Sequence, residues 1–99
     1  MENGYNIFWT DHALHELADT FEYLEREFTH KELKKLSLEI DQVVNLISKN
    51  PNLFPISESL EVRKVVIKKF NTMYYRVNPT QIEIISFFSN RQNPDKRKK

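Results

Sequence analysis

Two apolar stripes of helical period stand almost end to end in this sequence, and they constrain the fold more than any other feature. Leu14, Leu17, Ala18, Phe21, Leu24 and Phe28 recur at steps of three and four, while Glu16, Asp19, Glu22 and Glu25 fall on other faces. The spacing predicts a helix from about Asp11 to Glu27, with Thr10 placed to cap it. The second stripe is Leu33, Leu36, Ile40, Val43, Val44 and Ile47. Thr29 followed three residues later by Glu32 is the pattern of a capping box and starts this helix. Pro51 disfavours a helical conformation at Asn50 and ends it. With one or two residues between them, the helices must form an antiparallel hairpin, whose joined stripes make one hydrophobic face that needs a partner.

The partner is a sheet. Tyr5 to Trp9 reads as a first strand, and Val62 to Ile67, Thr72 to Val77 and Ile82 to Phe88 read as three more, separated by turns at Phe70-Asn71 and at Asn78 to Gln81. The last three predict an antiparallel meander. Pro51 to Glu61 has no period and reads as a loop crossing the edge of the core, anchored by Leu53 and Phe54. The fold class is therefore α+β, in the order βααβββ, with the helix hairpin on one face of a small antiparallel sheet. The other face of that sheet is left open. Residues 1–94 read as a single domain, and residues 95–99 as a basic, mobile tail.

Charge is divided along the chain. Residues 1 to 61 hold 5 Lys+Arg and 12 Asp+Glu, a net of −7, whereas residues 62 to 99 hold 10 Lys+Arg and 2 Asp+Glu, a net of +8. Such a split builds a positive surface for an acidic partner or nucleic acid even in a nearly neutral protein. With no cysteine, disulfides, thiolate metal sites and thiol nucleophiles are excluded. Gly4 is the only glycine, which excludes glycine-rich phosphate loops and ordinary dinucleotide binding. His12 and His15 stand at i, i+3 with Asp11 and Glu16 beside them, but no third and fourth ligand are evident, so neither a metal nor any other cofactor is expected. The N-terminus lacks the apolar run of a signal peptide and no stretch has membrane-span length, so the expected location is the cytoplasm, with no membrane partner.

The basic half offers the candidate binding residues. Arg63, Lys64 and Lys68, with Lys69 beside it, Arg76 on the next strand and Arg91 after the last, are interleaved with Tyr74, Tyr75 and Phe88. Cationic groups among aromatic rings are what phosphate and base-stacking contacts require. Lysines that blunt edge strands and tyrosines that pack a half-exposed sheet give the same composition without any such role.

Over nearly the whole chain, the succession IFWTDHALHELADTFEYLE, NPNLFP, VRKVVIKKFNTMYYRV and IEIISFFSNRQNP resembles the RelE/ParE superfamily. The resemblance rests on a W-T/S-x-x-A opening at Trp9 to Ala13, an arginine opening the second strand at Arg63, Tyr75-Arg76-Val77 ending the third, and an R-Q-N-P close at Arg91 to Pro94. It implies the same βααβββ plan and a toxin of a type II toxin–antitoxin pair, neutralised by a cognate antitoxin. Operator DNA would be met only through that antitoxin. Members either poison DNA gyrase, as ParE does, or cut messenger RNA on the ribosome, as RelE does.

The ribonuclease set implied by the resemblance is incomplete. Arg63 fits the first of two second-strand positions, but the second holds Val65; Thr72 stands where the third strand would carry arginine, and no histidine or tyrosine follows Tyr75. Cleavage by a 2′ hydroxyl needs a proton acceptor, and the weak catalytic candidates Arg63, Arg76 and Arg91 cannot readily exchange protons. The expectation is a growth-inhibiting, ParE-like toxin that inhibits gyrase by binding. The alternatives are a RelE-like ribosome-dependent mRNA endonuclease and a degenerate module that only binds an antitoxin. Trp9, Leu17, Phe21, Leu36, Ile40, Val43, Ile67, Tyr75 and Ile84 are expected in the core, and Arg63→Ala is expected to cost little stability. Arg91 is expected beside the rim of the open face, where only arginine would serve; the alternative is that it pairs with an acid of the helical half, Glu16 or Asp19, and tethers the chain end.

Overall fold

A computed structural model describes residues 4–56 and 62–89. The order is β1 (Asn6–Trp9), α1 (Asp11–Glu27), α2 (His30–Lys49), β2 (Arg63–Ile67), β3 (Asn71–Val77) and β4 (Gln81–Ser89). Both helices begin where their caps predict: the Thr10 hydroxyl accepts from the Ala13 amide at 3.1 Å, and the Thr29 hydroxyl from the Glu32 amide at 3.4 Å. The Asn50 amide closes α2 on Leu46 O at 2.9 Å, immediately before Pro51.

The strands form one sheet in the order β1-β4-β3-β2. β2, β3 and β4 are the expected meander, but β1 runs parallel to β4, so the sheet is mixed rather than antiparallel throughout. The direction follows from the connections: β2 and β4 run the same way on either side of β3, and β1, which runs that way too, reaches β2 through the helical crossover that co-directional strands require. Lys64 N donates to Pro55 O at 3.1 Å and Ile56 bridges Arg63, so the proline loop lies along the start of the β2 edge. At its start β1 is held to α2 by a bond from Tyr5 N to Ser48 O of 2.8 Å. A Cβ on Gly4 would lie 2.8 Å from Ser48 Oγ, so glycine permits that close approach.

The core lies between the helix pair and one face of the sheet, with Met73, Tyr75, Ile82, Ile84 and Phe87 fully buried against Ala13, Leu24, Leu36, Ile40 and Ile47. Five of the residues expected there are buried: Leu36, Ile40, Ile67, Tyr75 and Ile84. Trp9, Leu17, Phe21 and Val43 are only half-buried and ring the core, because sheet residues fill its centre. Leu14 is exposed, since α1 is turned so that Ala13 and Thr20 face inward. Phe54 packs against the core as expected, whereas Leu53 is exposed. Among the described residues, no helix is long and apolar enough to cross a membrane.

Candidate functional site

Alternation sorts the basic strand residues onto opposite sides. On β2, Val65 and Ile67 are buried toward the helices and Lys64 and Val66 are exposed on the open face, so Arg63 falls on the helix side. Its Nη1 donates to Phe54 O at 2.7 Å and its Nη2 to Asn52 Oδ1 at 3.0 Å. Tyr75, opposite Arg63 in the register, donates its hydroxyl to Pro51 O at 3.1 Å. Burial raises the Tyr75 pKa, against the lowering effects of the Arg63 charge and the Phe54 backbone. Arg63 and Tyr75 therefore clamp the proline loop.

The open face is built from Phe8 on β1, Glu83 and Phe88 on β4, Tyr74 and Arg76 on β3, and Lys64 and Val66 on β2. Glu83 lies between Phe8 and Arg76 in the register, and Arg76 Nη1 is 3.3 Å from Glu83 Oε1. Tyr74 and Phe88 meet with ring centroids 6.1 Å apart. Lys68 and Lys69 stand apart from this face, on the β2–β3 turn. The basic residues thus do not converge: Arg63 braces a loop, Lys64 and Arg76 lie on the open face, and Lys68 and Lys69 form a separate tip. Arg91 and the 95–99 tail lie outside the described residues.

Two carboxylates escaped the sequence reading as site residues. Glu83 alternates with buried Ile82 and Ile84, which is a legible signal for the open face. Glu16 carries no such signal; its Oε1 accepts from Ser86 Oγ and from Phe87 N, each at 2.8 Å. It takes over where β1 ends, beside the register shift that leaves Ile85 without a partner on β3. His12 Nε2 also approaches Glu16, at 3.3 Å. No cluster of three potential metal ligands exists among the described residues.

No protein-family model matches the chain, and no curated protein matches it. A solved structure described as the chromosomal ParDE TA system from P. aeruginosa contains a similar chain, with a TM-score of 0.72 and 18% identity over 86% of this chain and 95% of that one. The fold is RelE/ParE-like. The same RelE/ParE-like layout also aligns with part of a larger protein, TrmO from P. aeruginosa, at a TM-score of 0.54 and 11% identity, covering 89% of this chain and 34% of that one. At these identities the likeness is one of fold.

Proposed function

We propose that this chain is the toxin of a type II toxin–antitoxin pair, held inactive by a cognate antitoxin, and that it inhibits DNA gyrase by binding in the manner of ParE. The observation that carries the reading is the fold likeness to a ParDE chain over 95% of that chain's length. The sequence resemblance, drawn from the order of motifs, points the same way. Binding is favoured over catalysis because Arg63 and the Tyr75 hydroxyl are both spent on the proline loop. The protein would act in the cytoplasm and meet operator DNA only through its antitoxin, since neither helix has the continuous basic face of a major-groove reader.

A second reading rests on one contact. Arg76 and Glu83, paired on the open face, combine a fixed cation for phosphate with a carboxylate able to accept a proton, which is the minimum for RNA cleavage by a 2′ hydroxyl. Induction in bacteria without antitoxin separates the readings. Growth arrest with an SOS response and accumulated cleaved gyrase complexes is the expected result. Codon-positioned cuts in translated messages would favour the endonuclease, and unimpaired growth would leave only an antitoxin-binding module. Coexpression with the neighbouring reading frame should yield a stable complex.

A further inference from the structure

The two central strands of the open face carry one charge of each sign. Arg76 on β3 and Glu83 on β4 are register partners, with Nη1 3.3 Å from Oε1. Their side chains remain accessible, at 54% and 25%, so each keeps hydrogen-bonding capacity that its neighbour does not use. Glu83 is level with Phe8 on β1, which is 50% exposed. Farther along the same two central strands, Tyr74 and Phe88 meet with ring centroids 6.1 Å apart. Lys64 lies opposite Tyr74 on β2.

These positions discriminate between occupants. A polyanion drawn to Arg76 and Lys64 would lie against Glu83, and an acidic peptide would meet the same carboxylate. A surface that satisfies the face must carry its charges in the opposite order, acid over Arg76 and base over Glu83, with apolar area beyond. The face itself becomes such a surface when it is turned over. In the order β1-β4-β3-β2 the midline falls between β4 and β3. A two-fold axis along that midline, in the plane of contact, sets each β4 over the partner's β3 and each β1 over the partner's β2. Heights along the strands do not change. Glu83 then faces the partner's Arg76, and Arg76 the partner's Glu83. The Tyr74 and Phe88 rings straddle the axis and meet their own counterparts, while Phe8 comes over the partner's β2, within reach of the partner's Lys64.

We infer that the open face of the sheet is an interface between two copies of this chain, packed face to face about that axis. Four strands spaced about 4.8 Å apart, with about six residues each at about 3.3 Å, give a footprint of roughly 400 Å² a copy. That is small beside the roughly 800 Å² that each partner buries in a standard interface. The dimer is therefore weak and concentration-dependent, formed where the chain accumulates and displaced by any tighter partner. While it lasts, it covers Arg76 and Glu83. The pairing stands on the face and its symmetry alone and is independent of the toxin reading.

The test follows the full 99-residue chain, isotope-labelled, by sedimentation and by its amide resonances on dilution from about 1 mM. The average mass should fall on dilution. The amides of Phe8, Tyr74, Arg76, Glu83 and Phe88 should move, while those on the solvent faces of α1 and α2 stay fixed. Arg76→Glu and Glu83→Arg each set like charges opposite one another at both contacts, and each should weaken self-association by about tenfold or more. Mixed in equal amounts, the two variants present only opposite charges to one another and should associate as well as the parent does. Should a variant not fold, the parent's dilution shifts decide. A parent that stays monomeric at about 1 mM, shifts confined to the helices, or folded variants that do not associate when mixed would overturn the inference. So would a short single-stranded RNA that moves these amides when dilution does not, which would make the face a nucleic-acid surface instead.

Discussion

At its start β2 carries Arg63, whose guanidinium donates to Phe54 O and Asn52 Oδ1, with buried Tyr75 beside it fixing Pro51. At its end the same strand runs into Lys68 and Lys69, both exposed and both in left-handed conformations. At the first end a charge stabilises the chain by satisfying carbonyls that the loop would otherwise leave unpaired. At the second, charge is kept at the expense of the backbone. Four residues of strand separate a cation that builds the fold from cations that the fold merely displays, and composition alone does not distinguish them.

Substitutions at the two ends should therefore move stability in opposite directions. Arg63→Ala should show the largest loss, about 1–3 kcal/mol, because a charged donor to two oxygens is removed; chemical denaturation would measure it. Little loss, the outcome expected from the sequence, would break the contrast. Tyr75→Phe should cost about 1 kcal/mol through the bond to Pro51 O. It should also change the alkaline limb. Tyr75 has its pKa raised above the ordinary 10.0 in the folded state, so the folded chain holds that proton more tightly than the unfolded one. The resulting stability is complete below the unfolded value and is lost as pH rises beyond it toward the folded pKa. Denaturation midpoints above about pH 10 should consequently fall less steeply in Tyr75→Phe than in the parent.

Lys69→Gly should act in the other direction, raising stability by about 0.5–1 kcal/mol after glycine's greater unfolded-state entropy is set against relief of the left-handed strain. A loss of that size would mean the turn is not strained. Arg76→Ala should be smallest, within about 0.5 kcal/mol, since its bond to Glu83 lies in solvent and is screened.

These contrasts mark how far the sequence could be read. Helix limits were legible because caps and prolines act locally: α1 spans Asp11–Glu27 as the pattern predicts, and α2 stops one residue before Asn50. Strand limits agree to within a residue or so for the same reason. The parallel pairing of β1 was not legible, because it joins segments more than seventy residues apart and no local pattern says which edge of the meander β1 meets. Arg63 was half-legible. Its alternation with Val65 and Ile67 places it on the helix side, but nothing local announces Phe54 O and Asn52 as its acceptors. Lys68 and Lys69 carried no warning either, since lysine is a poor marker of left-handed turns. Glu83 could have been found from alternation; Glu16 could not, because its partners on β4 are some seventy residues away.

The most direct test of the proposed activity is the growth of bacteria in which the Glu83→Gln chain is induced without antitoxin. Glutamine preserves the shape of the side chain and removes the only described carboxylate paired with an arginine on the open face. A toxin that works by binding gyrase should still arrest growth, with an SOS response and cleaved gyrase complexes as in the parent. Arrest by the parent accompanied by cuts in translated messages, and lost in Glu83→Gln, would contradict it.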